Sequence, residues 1–149
     1  MVRLFSFLLL FMSAAQAGSI VFNRDIRPIL SDKCFHCHGF DEKERKGELR
    51  LDRREQALKP AESGSIAIVP GKPDQSELLA RVMTKNADDL MPPAKMHKPV
   101  TQAEAALLKQ WIAEGAEYQG HWAFIKPERP AVPAGSEFLD LLSPQYVAD

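Results

Sequence analysis

The chain is 149 residues long, a length suited to about one domain, and its formal net charge at pH 7 is −1. That balance supplies no basic field of the kind nucleic acid requires. Hydrophobic residues at 45% and charged residues at 26% are ordinary for a soluble globular protein, while eleven prolines, several of them near the C-terminus, suggest a linker there.

Arg3 is the only charge before a mainly apolar run, Leu4 to Met12, nine residues long. Small residues follow, and Ala15-Gln16-Ala17 has the A-x-A form of a signal-peptidase site, so residues 1–17 read as a cleaved export signal. So short a run cannot cross about 30 Å of hydrocarbon, which needs roughly 20 helical residues. No stable membrane span is therefore expected in the mature chain, and an uncleaved anchor or a buried core helix is the weaker reading. No cysteine lies near the cut site, which argues against lipid attachment there. Cleavage after Ala17 removes Arg3, takes the formal charge to −2, and leaves the mature protein exported, in the periplasm or another extracytoplasmic space.

Val21 to His38 reads as a short helix running into a cysteine motif. Ile26, Ile29 and Leu30 form one apolar stripe, with Asp25 as the expected N-cap and Pro28 in the first turn, where its missing N–H costs least. Asp41 to Lys46 is a charged, solvated loop. Leu49 and Leu51 alternate with polar residues and suit a short extended piece. Asp52 to Glu55 resembles the start of a short helix ending near Lys59-Pro60, and Pro70-Gly71 marks a turn.

A further helix is expected with Asp74 as cap, Glu77 three residues on, and Leu78, Leu79, Val82 and Met83 as its apolar face. Asn86 to Val100 lacks a helical period, contains three prolines and reads as a loop. The clearest helix is the last: Thr101 and Glu104 make a capping box, Leu107, Leu108, Trp111 and Ile112 a buried stripe, and Gly115 the stop. From His121 onward the proline-rich sequence reads as extended linker. No internal repeat and no strand pair is evident.

Both cysteines lie in Cys34-Phe35-His36-Cys37-His38, a C-x-x-C-H sequence, the pattern of c-type haem attachment. Two thiols three positions apart on one turn can each add to a vinyl group on the haem edge. The imidazole after the second thiol then reaches the iron from the same side. A structural disulfide would leave His38 unexplained. A dithiol oxidoreductase would place C-x-x-C after a strand in a βαβ pattern, which is absent. A zinc site would need further well-spaced ligands, and only His97 and His121 remain to supply a second pair.

His36, between the thiols, reads as an exposed spacer. Haem iron in most electron carriers takes a second axial ligand, commonly methionine. Met83 belongs to a helix stripe and is expected in the core. Met91 stands before Pro92-Pro93, 53 positions after His38, and two prolines can hold its sulfur against the iron. The alternative is that Met91 fills a gap in the core. Met96 and His97 are the fallback ligands.

These residues resemble the planctomycete-type cytochrome c domain. The resemblance runs through Phe22-Asn23-Arg24-Asp25-Ile26-Arg27-Pro28-Ile29-Leu30, Cys34-x-x-Cys37-His38-Gly39, Leu49-Arg50-Leu51-Asp52 and Ile68-Val69-Pro70-Gly71-Lys72-Pro73. It continues through Met91-Pro92-Pro93, Trp111-Ile112-x-x-Gly115-Ala116 and His121-Trp122-Ala123-Phe124. It implies a mostly α, class I-like fold around one covalent haem c, its first and last helices packed across each other. It also implies attachment at Cys34 and Cys37, His38 as proximal iron ligand and Met91 as distal ligand.

The expected organisation is a signal at 1–17, a cytochrome c domain at 22–118, and a proline-rich linker or truncated start of a further region at 119–149. In many relatives this module opens a much longer exported protein, so the chain reads as a stand-alone carrier or as the front piece of one.

The expected function is one-electron transfer between redox donor and acceptor proteins, or relay within a fused or associated exported enzyme. A haem sensor, a peroxidase-like domain with an open distal site, and a non-haem dithiol protein are the rivals. No nucleophile–base pair or phosphate loop points to an enzyme, and Asp88-Asp89 reads as solvated loop. Because the apolar stripes are few and scattered, the porphyrin is expected to supply the missing centre of the core.

Overall fold

The structure, a computed structural model, describes residues 19–127. The expected export signal and the tail beyond residue 127 lie outside the described residues. The chain divides into a unit ending at Gln119 and a second one beginning at Gly120. The described residues are mostly helical and contain no strand; an isolated bridge joins Pro60 to Ile66.

The first helical stretch opens with a wide π-type turn at Phe22–Ile26 and tightens into α1, Arg27–Lys33. Asp25 does not cap it from in front, as the sequence led one to expect. It sits inside the first turn and its carboxylate accepts from the Val21 N–H at 2.8 Å, satisfying an end donor from behind. Ile26, Ile29 and Leu30 are buried as the stripe predicts. The backbone breaks its helical course at Cys34 and resumes for one turn, α2, Phe35–His38.

Leu49 and Arg50 take no regular structure and Leu51-Asp52 forms a turn, with Leu51 buried. A single turn, α3, Arg54–Ala57, follows without a side-chain cap: its N-cap position falls on Arg53, and Asp52 pairs with Arg50. The next helix, α4, Glu77–Met83, begins two residues later than the Asp74 cap implied. Pro73–Gln75 is spent on a 3-10 turn, and the buried Ser76 takes the junction. Its hydroxyl accepts from the Val69 N–H at 2.9 Å and donates to the Lys72 carbonyl at 3.0 Å. Leu78 and Leu79 are buried, but Met83 is 61% exposed, so its place on the stripe does not make it core.

The loop from Asn86 to Val100 holds one 3-10 turn, Ala94–Met96. The last helix, α5, Gln102–Ala113, carries both arms of the expected capping box: the Glu104 N–H donates to Thr101 Oγ1, and the Thr101 N–H to Glu104 Oε2. It ends at Gly115, whose φ of 107° suits glycine.

The first and last helical stretches meet in an aromatic cluster. Phe22 lies 5.6 Å from Trp111 and 4.4 Å from Tyr118, ring centre to ring centre. The Trp111 indole N–H donates to the Glu117 carbonyl, and the Tyr118 hydroxyl reaches back to the Leu51 carbonyl. Leu51, Ala57, Ala67, Ile68 and Ala116 complete a single buried core with the helix stripes. The apolar positions are thus contiguous rather than scattered, because short irregular segments contribute residues that no periodicity marks.

In the second unit, Trp122–Phe124 forms a 3-10 turn instead of extended linker. The Ala123 N–H donates to His121 Nδ1 at 3.2 Å, and Phe124 is largely exposed.

Candidate functional site

The C-x-x-C-H turn is built locally. The Cys34 N–H still bonds to the Leu30 carbonyl of α1, and the N–H groups of Cys37 and His38 both reach the Cys34 carbonyl, at 3.1 and 2.8 Å. Cys34, Cys37 and His38 therefore stand at i, i+3 and i+4 of one turn and share a face. Gly39 follows, with its backbone packed so closely on the Phe35 carbonyl that any Cβ there would collide with it.

The charged loop after Gly39 looks solvated, and Asp41 to Glu44 are exposed. Its end nonetheless returns to the motif. The Lys46 N–H donates to the Cys37 carbonyl and the Leu51 N–H to the His38 carbonyl, each at 2.8 Å. Arg45 adds bonds to the Gly39 and Phe40 carbonyls. The carbonyls left open at the end of α2 are thereby satisfied.

His38 Nδ1 lies 3.2 Å from the Lys46 carbonyl. A carbonyl only accepts, so this contact puts the ring proton on Nδ1 and leaves the Nε2 lone pair available to a metal. Burial holds the imidazole below its ordinary pKa, which favours the neutral, ligating form.

All three motif side chains line a cleft of about 450 Å³, within the range of cofactor sites. Leu49, Leu51, Ala67, Leu78 and Val82 form apolar wall, and the Met91-Pro92-Pro93 segment lines the cleft as well. Met91 is held there by its backbone N–H, which donates to the Arg81 carbonyl of α4 at 3.0 Å, and its bond to Pro92 is cis.

Met96 also lines the cleft, whereas His97, the other fallback, does not; its backbone is left-handed and its side chain exposed. His36 lines the cleft with an exposed side chain. A salt bridge from Lys98 to Asp32, 2.6 Å, links the loop carrying Met91 to the end of α1. A second hollow of about 490 Å³ shares His38, Glu77, Arg81 and Met91, among others, with the first.

Cys34 and Cys37 are free thiols, and burial pushes the Cys34 thiol up to about 12. A redox-active dithiol needs the opposite, a first cysteine with a lowered pKa. The residues present fit a covalent haem: two thiols on one turn, an imidazole with its Nε2 unengaged, a thioether sulfur on another segment of the same cleft, and apolar walls. Among the described residues no group of three or more His, Cys, Asp or Glu side chains forms an alternative metal centre.

A mostly helical fold in which a C-x-x-C-H turn opens into an apolar cleft defines the class, a cytochrome c-like domain. Residues 34–95 match the family model of Planctomycete cytochrome C, a span that includes both thiols, His38 and Met91. That match supports a planctomycete-type cytochrome c domain over these residues. The resemblance in the first and last helical stretches lies outside the matched residues. No curated protein and no solved structure gives a significant match to the chain.

Proposed function

We propose that this chain is the electron-carrying domain of an exported redox system, with one haem c bound through Cys34 and Cys37. The observation that carries the reading is the single cleft lined by Cys34, Cys37, His38 and Met91. Cys34 and Cys37 would hold the haem edge through thioether bonds, each thiol's sulfur and hydrogen being taken up by a vinyl group without net oxidation. His38 Nε2, with the ring oriented by the Lys46 carbonyl, and the sulfur of Met91, whose backbone N–H donates to the Arg81 carbonyl, would hold the iron.

A bound haem supplies an iron that cycles between the ferric and ferrous states. The chain's own work is to hold both axial donors, keep the walls dry, and limit the rearrangement that accompanies each electron. His–Met ligation sets a higher potential than two histidines would. The donor and acceptor are redox proteins or a fused or associated exported enzyme, and the mature chain begins at Gly18. No helix among the described residues is long and apolar enough to cross a membrane.

Expression with export and haem ligation tests the reading. Mass spectrometry should show one haem that resists acid–organic extraction and an N-terminus at Gly18. The ferric spectrum should carry the sulfur–iron band of His–Met iron. Met91→Ala should abolish that band and open the iron to cyanide or imidazole, while Met96→Ala should leave it intact. A band that survives Met91→Ala moves the ligand to Met96. Freely extractable haem with Cys34 and Cys37 joined in a disulfide overturns the cytochrome reading.

A further inference from the structure

The two hollows meet along a shared wall that includes His38, Glu77, Arg81 and Met91, yet only one of them contains the thiols. The other continues from that wall to Gly47, Ser63 and Ser65 and holds neither cysteine. A haem bonded through its vinyl groups at Cys34 and Cys37 carries its two propionates on the opposite edge. With His38 and Met91 on its axis, that edge enters the hollow without thiols.

Arg81 stands where the two hollows join and lines both. Its Nε donates to Glu77 and its Nη1 to Asp89, each at 2.7 Å, which fixes the guanidinium plane. A guanidinium has five N–H donors in a fixed fork, so the Nη2 pair remains for a third carboxylate. Among the described residues the other Lys or Arg lining the hollow is Lys46, an exposed side chain whose backbone already serves His38.

We propose, resting on the haem reading above, that Arg81 is the anchor of the haem propionate edge. The same residue holds Met91 through its carbonyl, so one position of α4 positions both the distal ligand and the far edge of the porphyrin. A positive charge held against a propionate offsets its negative charge near the iron and favours the ferrous state. Taking the cation away favours the ferric state.

The test uses the intact holoprotein. In Arg81→Gln the ferric–ferrous equilibrium should shift about tenfold toward ferric, close to 59 mV for one electron. The propionate bending vibration in the resonance Raman spectrum should move, with covalent haem and the sulfur–iron band retained. Arg81→Lys should recover most of the potential, because it keeps the charge. Asp89→Asn cuts the same link to the Met91 loop but removes a negative charge, and should not lower the potential.

An unchanged potential and vibration in Arg81→Gln overturns the assignment, as does an equal fall in Asp89→Asn, which would trace the effect to the loop. Loss of folding in Arg81→Gln together with a normal vibration in Arg81→Lys at a lowered potential would also overturn it. Wild-type protein that takes up no haem defeats the haem reading itself and this inference with it.

Discussion

A Cβ placed on Gly39 would lie well inside van der Waals contact with the Phe35 carbonyl oxygen and would also press on that residue's carbonyl carbon and Cα. Both sides of the collision are backbone, so relief requires moving the turn that carries Cys37 and His38. Gly39→Ala should cost roughly 2–3 kcal/mol of holoprotein stability, read as a lower denaturant midpoint with an unchanged slope. An unaltered midpoint would mean that the turn yields without cost.

Asp25 acts at the same scale. Its carboxyl is held down to about 2 by the Arg24 side chain and then by the Val21 N–H. A carboxyl with a lowered pKa in the folded state adds stability that is present above its ordinary 3.8 and is lost as the pH falls through about 2. Wild type and Asp25→Asn should therefore differ at neutral pH and converge in thermal midpoint over that acid range. A constant offset down to the lowest pH would show that the carboxylate is not what stabilises the turn.

Among the elements, α4 shows how a cap can be read two positions off. Asp74 has the right side chain, but Pro73 opens a 3-10 turn and leaves Asp74 exposed within it. The junction is instead held by the buried Ser76 hydroxyl, between the Val69 N–H and the Lys72 carbonyl. Ser76→Ala should cost about 1–3 kcal/mol, because it strips partners from part-buried backbone groups at Val69 and Lys72, whereas Asp74→Ala should stay within about 0.5 kcal/mol. Urea titrations of the two variants check the contrast, and equal losses would return the cap to Asp74. The loop of residues 41–51 carries a related lesson. Its composition marks it as solvent-exposed, and most of it is, yet its last residues satisfy the carbonyls of α2 and orient the His38 ring.

At the scale of the whole molecule, the contiguous core changes what loss of haem should do. A domain of about 100 residues buries little more than 60% of its unfolded surface and is marginal without a staple. Phe22, Ile26, Leu30, Leu108, Trp111 and Ile112 nevertheless bury one another without help from the cleft. The cleft walls, by contrast, include Leu49, Val82 and the Met91-Pro92-Pro93 segment, which face the space a porphyrin would fill.

The haem-free double variant Cys34→Ala with Cys37→Ala should therefore lose its sharp thermal transition. Residual amide protection should be confined to α5 and the first helical stretch, with residues 41–66 and 84–100 exchanging freely. Hydrogen exchange by mass spectrometry measures this. Uniform protection with a sharp melt would make haem a passenger on a self-sufficient fold.

What the sequence by itself determined is what lies within one turn or one helix. The spacing of Cys34, Cys37 and His38, the capping box of Thr101 and Glu104, the stop at Gly115 and the stripes of the first and last helices are all set by contacts three or four residues apart. Chain closure decided the rest. The tertiary structure brings Met91 to the cleft and leaves His97 outside it, exposes Met83 although its stripe is apolar, and gathers Leu51, Ala57 and Ile68 into the core from segments without period. It also supplies the Lys46 carbonyl that selects the His38 tautomer. Periodicity reports only the direction a side chain takes from its own element. Whether something is packed there depends on segments that return from tens of residues away.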